Sequence, residues 1–311
     1  MLLSRYKKCF LSISFALFFI FNADARQTTP YQITTERDSR GGIQFYANTE
    51  TPVPLILTID FTTLRNLDVS VALPYSTNLT CTRTRILILR RQWEDQQINY
   101  RYRTRHHSGC LNTYPSEIEY LLPYPEGIQA IGGTSSYVGE MINREAPEGW
   151  YSLFFDVPPQ TDVRAMRRGT VVAVRDGVRR SENANLIYRS DRNFVIVMHS
   201  DCTFARYTTF ENDHIYVQEG DLIQAGDPIG KIDNRHQIQV LVFYRNDESV
   251  TIDPRDSQGI QNWHYVKPLF RTTVDHFSEI ERGATYKSIH PDEIITSEMS
   301  RRERRRWARD Q

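Results

Sequence analysis

The sequence has 311 residues, and its 38 lysines and arginines equal its 38 aspartates and glutamates in number. Charged residues make up 24% and aromatic residues 12% of the chain, which excludes an intrinsically disordered protein. The balanced charge gives no overall electrostatic footprint for nucleic-acid binding. The length favours two modest domains over one, with ample chain for a sizeable core.

The first residues have the three parts of a secretory signal peptide. Basic side chains open the segment, an apolar run follows at 9–21, and an A-x-A cleavage site ends at Ala25. The basic residues are Arg5, Lys7 and Lys8. The alternative is a single membrane anchor, but the run is shorter than the ~20 residues that span a bilayer. We therefore expect cleavage after Ala25 and a secreted protein of the periplasm or cell envelope, with no transmembrane segment in the mature chain.

Residues 26–125 are predicted to form a β-sandwich. Short segments rich in Val, Ile, Leu and Tyr alternate there with polar and proline-containing stretches: VPLILTIDF, DVSVALPY, TRILILRRQ, INYRYRTR and IEYLLPY. In INYRYRTR (98–105) alternate residues place aromatic side chains on one face and arginines on the other. The basic face is either a solvated outer surface or a binding face for an acidic or glycan ligand.

Residues 126–249 are predicted to form a second β-rich domain, so the fold class is all-β. Its first part, 126–150, has little apolar periodicity and is typical of a long connection, and strands resume at Tyr151. Residues 250–311 are predicted to be a short, partly helical C-terminal extension with a basic tail, SRRERRRWARDQ. The tail could contact anionic lipid or wall polymer, while a solvated helix or frayed terminus is the simpler interpretation.

Three cysteines remain once the predicted signal peptide is removed. In an oxidising compartment Cys81 and Cys110 would close a loop inside the first domain, and such a crosslink would contribute about 3–4 kcal/mol by the chain-entropy model. Cys202 would then be a small buried hydrophobic residue. Three cysteines also permit the other pairings.

Three segments of the second domain resemble the LytM/lysostaphin-type peptidoglycan zinc metalloendopeptidases, whose fold is the duplicated hybrid motif. They are FDVPPQTDVRAMRRGTVVAVRDG (155–177), VIVMHSDCTFARYTTF (195–210) and VQEGDLIQAGDPIGKI (217–232). In the third segment Gly220, Gly226 and Gly230 are expected to take sharp turns between short strands, because glycine accepts positive φ without a Cβ clash. The resemblance covers about 120 residues, with a weaker likeness in the sandwich before them.

The resemblance implies a zinc ion held by the His and Asp of a His-x-x-x-Asp motif and by the second His of a His-x-His motif. Two further histidines of the family assist the attacking water. Of these five positions only the aspartate is retained, as Asp156. The others fall on Ser152 (with Tyr137 as the alternative if an insertion is allowed), Thr209, Val240 and Val242. One carboxylate does not hold zinc at useful affinity, so we expect no cofactor and no catalytic residue.

Other uses of the site are left open by the sequence. Asp156 is either a structural carboxylate or a groove residue that still meets ligand, and a groove of Asp156, His199 and Tyr207 is one candidate. A substitute zinc set of Asp156, His199 and His236 is conceivable, but no ligand spacing supports it.

The expected function is that of a secreted cell-envelope protein with a catalytically inactive LytM-like domain, which binds peptidoglycan or regulates a wall hydrolase. The alternative is an active zinc endopeptidase of peptidoglycan with non-standard ligands. Two weaker alternatives are an adaptor related to lipoyl carriers, for which Lys231 lacks the usual surroundings, and a surface protein whose sandwich does the binding. No nucleic-acid partner is expected.

Overall fold

The computed structural model describes residues 29–39, 41–51, 53–79, 82–137, 140, 143, 145–178, 192–245 and 263–310. The predicted signal peptide lies outside this range, so cleavage after Ala25 stays a prediction. Within the described residues, no helix combines the length and the apolar character that crossing a bilayer requires. The described chain is mostly β-strand with two short helices near its end, which confirms the predicted fold class.

The N-terminal part forms two packed sheets. Its strands are β1 (Tyr31–Arg37), β2 (Ile43–Thr49), β3 (Leu55–Arg65), β4 (Leu67–Val69), β5 (Tyr75–Leu79), β6 (Arg83–Arg91) and β7 (Asn99–Ser108). One sheet has the order β1-β2-β6-β4 and the other β5-β3-β7. Their facing side chains form one hydrophobic cluster, so this region has the predicted sandwich architecture.

Strand β2 contributes to this core by strict alternation of its side chains. Every second residue of β2 is buried, and Phe45 at its centre contacts Tyr100 and Tyr102 of β7 with ring centroids 5.6 and 5.3 Å apart. Arg101 and Arg103, which alternate with those tyrosines, face outward, and Arg103 is bonded to Asp60 at 2.8 Å. The aromatic and basic faces predicted for this strand are therefore separated as expected.

The second part is built around one large sheet. Its strands before residue 246 are β8 (Glu119–Tyr120), β9 (Gln129–Ser135), β10 (Ser152–Asp156), β11 (Asp162–Arg164), β12 (Gly169–Arg175), β13 (Phe194–Met198), β14 (Phe204–Thr208), β15 (Phe210–Ile215), β16 (Leu222–Ile223), β17 (Pro228–Ile232) and β18 (Gln237–Arg245). Strand β9 lies in the segment predicted to be a connection. Apolar periodicity did not predict this strand because Gly132 and Gly133 interrupt the pattern. Glycine is required there because a Cβ atom would collide with the rings of Tyr286 and Phe154.

The segment after residue 262 completes this sheet and does not form a separate extension. It contains β19 (Trp263–Val266), β20 (Leu269–Thr273), β21 (His276–Ser278), β22 (Thr285–Lys287), α1 (Asp292–Ile295) and α2 (Arg301–Asp310). The large sheet has the order β16-β12-β13-β14-β18-β10-β9-β22, and β19 also pairs with β18. Two three-stranded sheets, β11-β17-β15 and β21-β20-β8, pack beside it.

Two of the three predicted glycine turns have the expected backbone. Gly220 and Gly226 have φ angles of +96° and +87°, and they lie just before β16 and between β16 and β17, respectively. Gly230 instead lies inside β17, so its predicted turn is wrong. A Cβ there would come within 2.6 Å of the Phe210 ring and 2.8 Å of the His214 carbonyl oxygen, which gives a packing reason for glycine.

The predicted disulfide is corrected. Cys110 is bonded to Cys202, with the two Cα atoms 5.9 Å apart, and is therefore not paired with Cys81. Cys110 follows the last strand of the sandwich, and Cys202 lies in the turn between β13 and β14. The same two segments are also joined by a hydrogen bond in which the Ser116 amide donates to Asp201 Oδ2 at 2.9 Å. The bridge thus ties the sandwich to the large sheet, and Cys81 lies outside the described residues.

Candidate functional site

Asp156 ends strand β10 on the outer face of the large sheet. Leu153 and Phe155 are buried in the core, so the intervening residues of this strand point to the opposite side. Ser152 shares that outer side with Asp156 but lies at the other end of the strand, about 13 Å away for four extended residues. The pair therefore cannot meet at one metal ion with this backbone.

Val240 and Val242 do not share a face with Asp156, which corrects the predicted ligand positions. Val240 pairs with Leu153 across the strands, and opposite residues of an antiparallel pair point to the same side. Both valines belong to the core cluster and are only 2% and 1% exposed. They are ordinary core residues and do not line an emptied catalytic floor.

Gln237 and Gln239 stand where the valines were expected. Gln237 pairs directly with Asp156, and its Nε2 donates to Asp156 Oδ1 at 2.8 Å. Gln239 Nε2 donates to Gln237 Oε1 at 2.7 Å, and Gln239 Oε1 in turn accepts from Arg192. These four residues form a continuous polar chain, which we call the Asp156 chain.

The sequence held a signal for the Asp156 chain that the resemblance obscured. In QIQVLVFYR (237–245) the polar residues Gln237 and Gln239 are two positions apart and therefore lie on one face of the strand. Val240 and Val242 lie on the other, buried face together with Ile238. Assigning the two faces of the sheet from the buried residues of β10 would have placed the glutamines, and not the valines, on the same face as Asp156. Their contact with Arg192 joins residues far apart in sequence, so only the fold could supply it.

Thr209 is beside the Asp156 chain but its side chain is already engaged. It is fully buried with a φ of +78°, and its hydroxyl lies within hydrogen-bond distance of two carbonyl oxygens, those of Thr208 and Gln237, either of which can accept its single proton. Its own carbonyl oxygen accepts from the Asp233 amide at 2.8 Å. Thr209 therefore supports the backbone of the loop before β18 and offers nothing to a ligand.

His199 and Tyr207 do not form a groove with Asp156, which corrects a second expectation. Tyr207 pairs with Val240 on the core side of the sheet, and its hydroxyl accepts from the Met166 amide at 2.8 Å. His199 is 1% exposed and follows β13. Both residues are structural groups within the core.

The environment of His199 keeps its imidazole neutral. Burial, followed by the charge of Arg167, lowers its pKa from 6.5 to about 4. Its Nδ1 lies 2.8 Å from the Arg168 carbonyl oxygen. Arg167 is itself only 3% exposed at its side chain and pairs with Asp201 at 2.9 Å and Glu298 at 2.8 Å. Although burial opposes it, the hydrogen bond from the Ser116 amide, followed by the charge of Arg167, holds the pKa of Asp201 well below its usual range.

The donor set on the outer face does not fit a catalytic zinc ion. Such an ion takes about three protein ligands from imidazole, thiolate and carboxylate groups. The Asp156 chain offers one carboxylate, which already accepts from Gln237, and two amides. Across the described residues, no three His, Cys, Asp or Glu side chains are grouped so as to hold a metal ion. The conceived set of Asp156, His199 and His236 is therefore not brought together.

A polar cleft of about 210 Å³ adjoins the Asp156 chain. Arg192 belongs to both, and the cleft is also lined by Asn193, Phe210, Asp233 and Arg235. Arg235 donates to Asp233 within the cleft, and Asn193 is buried with its amide bonded to the Val178 and Phe210 carbonyl oxygens. The cleft and the chain together give this face hydrogen-bond donors and acceptors of the kind that a peptide or an acidic group requires.

Comparison with known proteins gives one family match. Residues 148–254 match the model of Peptidase family M23. The matched segment begins just before β10 and includes all four residues of the Asp156 chain. None of the curated proteins matches the sequence.

Several solved structures are similar to this chain at low identity. Pseudoalterin, an M23 metalloprotease from the deep sea, has 14% identity over 57% of this chain and 98% of that chain, with a TM-score of 0.33. A zinc-containing peptidase from Vibrio cholerae has 12% identity over 68% and 82%, with a TM-score of 0.27. Csd3 from Helicobacter pylori has 9% identity over 89% and 83%, with a TM-score of 0.30. At such TM-scores these structures add no argument about activity.

Proposed function

Because residues 148–254 match the model of Peptidase family M23, we propose that this is a cell-envelope protein whose M23-like domain binds peptidoglycan without cleaving it. In this role it either anchors at the wall or regulates a wall hydrolase. Binding takes place on the outer face of the large sheet, at the Asp156 chain and the adjoining polar cleft. The predicted signal peptide and the Cys110–Cys202 disulfide support an oxidising compartment.

One observation carries the proposal. The carboxylate that the family uses as a zinc ligand is retained, yet its neighbours are Gln237 and Gln239, and Gln237 donates to Asp156 at 2.8 Å. An amide is a weak zinc ligand but a good partner for the peptide group, because it donates and accepts at once. The same surface can thus hold a peptide in place of hydrolysing it.

The test has a chemical part and a binding part. We expect the purified secreted chain to contain far less than one zinc per molecule and to release no fragments from peptidoglycan. It should sediment with purified peptidoglycan, and Gln237→Ala with Gln239→Ala should weaken this binding about tenfold, the value of one or two lost hydrogen bonds.

A matched control uses two glutamines of the sandwich region. The variant Gln32→Ala with Gln97→Ala removes the same groups from exposed positions and should bind as the unchanged protein does. Stoichiometric zinc with hydrolysis lost in Asp156→Ala would replace the proposal with an active endopeptidase. Binding that survives the loss of both Gln237 and Gln239 amides would move the binding surface elsewhere, for example to the sandwich.

A further inference from the structure

The C-terminal helix α2 carries an unusual concentration of charge for a protein with equal numbers of basic and acidic residues. Its sequence RRERRRWARD has six arginines against two carboxylates. Arg301, Arg302, Arg305 and Arg306 are all exposed, and within the described part of the chain none has an ion-pair or hydrogen-bond partner. The positive charge of this helix is therefore largely uncompensated.

The helix is nevertheless held firmly against the protein. Its N-terminus is a capping box, in which the Ser300 amide donates to Glu303 Oε2 at 2.7 Å and the Glu303 amide donates to the Ser300 hydroxyl at 3.3 Å. Glu303 also accepts from both terminal nitrogens of Arg168, at 2.5 and 3.1 Å. One turn earlier, Glu298 makes a two-pronged pair with the buried Arg167, at 2.9 and 2.8 Å.

This arrangement distinguishes α2 from a frayed tail. Its two least exposed residues, Glu303 and Trp307, lie on one side, and the unpaired arginines project on the other. Like charges four residues apart, as in Arg301 with Arg305 and Arg302 with Arg306, oppose helix formation. Arginines in the first turn also oppose the helix dipole. A helix that keeps these penalties and is still clamped in place presents its charge to something anionic.

The spread of the arginines indicates the shape of that partner. At 3.6 residues per turn, Arg301, Arg302, Arg305, Arg306 and Arg309 spread over about 140° of the helix circumference. A linear polyanion would contact a single row, whereas a flat anionic surface can contact the whole fan. The exposed side has no large apolar side chain, which excludes insertion into the hydrocarbon region.

We propose that α2 is a docking element for anionic phospholipid headgroups, which holds the protein at a membrane surface by arginine–phosphate contacts. Guanidinium groups suit this role because they bind phosphate oxygens in pairs and remain charged at every physiological pH. The proposal is independent of what binds at the Asp156 chain, because Asp156 and both glutamines of that chain lie on strands β10 and β18, whereas α2 contacts Arg168 just before β12.

Vesicle sedimentation of the full secreted chain tests the proposal. We expect binding to phosphatidylcholine vesicles that contain about one-third phosphatidylglycerol, weakened by salt, and no binding to phosphatidylcholine alone. Replacing Arg301, Arg302, Arg305 and Arg306 with Gln should lower the apparent affinity roughly fivefold per arginine. Because Glu303 is unchanged in this variant, its unfolding midpoint should stay close to that of the unchanged protein.

The matched control replaces four exposed arginines of the sandwich region, Arg65, Arg85, Arg90 and Arg101, with Gln. It changes the net charge equally and should bind the anionic vesicles as before. Equal loss in both variants would reduce the effect to net charge and overturn the proposal. So would unaltered binding by the α2 variant, or binding of soluble polyphosphate without sedimentation on vesicles, which would assign the helix to a soluble polyanion.

Discussion

A glutamine amide and a histidine imidazole differ most in what they offer a metal ion. The imidazole nitrogen is a strong ligand for zinc, whereas the amide oxygen is a weak one that competes poorly with water. At Gln237 and Gln239 the amides bond to Asp156, to each other and to Arg192, so their polar groups are satisfied without an ion. Single side chains thus change the chemistry available to this face while the strands that carry them stay intact.

His199 gives a pH-dependent prediction. Its pKa is about 4 in the folded protein and 6.5 when unfolded, so the unfolded chain binds more protons between these values. The contribution of the neutral His199 imidazole to the stability of the folded state is complete above pH 6.5 and is lost as the pH falls toward 4. We expect this residue to lower the free energy of unfolding by about 2 kcal/mol between about pH 7 and pH 5, measured by urea denaturation.

The variant His199→Gln separates this residue from other groups in the same range. His290, whose pKa burial also lowers, is unchanged in the variant and contributes with the same sign. Asp201 and Glu298 face His199 through Arg167, but the low pKa of Asp201 delays its protonation to more acidic conditions. His199→Gln should therefore show a shallower loss of stability, and an equal slope in both proteins would contradict the assignment.

At the scale of elements, strand β18 decides which residues reach the candidate site. Its buried positions alternate with half-buried ones from Gln237 onward, so a shift of one residue moves every side chain to the other face. The family resemblance matched this strand by its apolar character and selected Val240 and Val242. Pairing with β10 instead turns Val240 and Val242 toward the core and places Gln237 and Gln239 on the face of Asp156.

The parity of β18 is tested by two substitutions at adjacent positions. Val240→Gln places an unpaired amide in the core and should cost about 3 kcal/mol of unfolding free energy. Gln239→Val acts on the outer face and should cost less than about 1 kcal/mol. Chemical denaturation of both variants measures the difference, and equal costs, or the reverse order, would show that the strand faces are assigned incorrectly.

At the scale of the whole molecule, the Cys110–Cys202 disulfide joins the segment after the sandwich to the β13–β14 turn of the large sheet. Its cysteines are 92 residues apart in the sequence, so the bond restricts a large part of the unfolded chain. Together with the salt bridges of Arg167 to Asp201 and Glu298, it fastens the sandwich, the turn after β13 and the C-terminal segment at one end of the sheet.

The pairing predicts the outcome of reduction. Cys110→Ser or Cys202→Ser should lower the free energy of unfolding by about 2–4 kcal/mol, and reductant should have no further effect on either variant. Cys81→Ser is the control and should keep the reductant-sensitive stability of the unchanged protein. Loss of that sensitivity in Cys81→Ser would restore the pairing first predicted, as would a Cys81–Cys110 peptide in a non-reducing digest.

The sequence by itself determined the all-β class, the sandwich, most strands and the family resemblance, because apolar alternation and glycine turns are local signals. It also determined that histidine is missing from the positions matched to the zinc ligands. Tertiary structure alone decided that Gln237, Gln239 and Arg192 form a hydrogen-bonded chain that starts at Asp156. It also decided that Cys110 bonds to Cys202 and that β19 and β22 join the large sheet. Those contacts join distant segments through strand pairing, which no local pattern encodes.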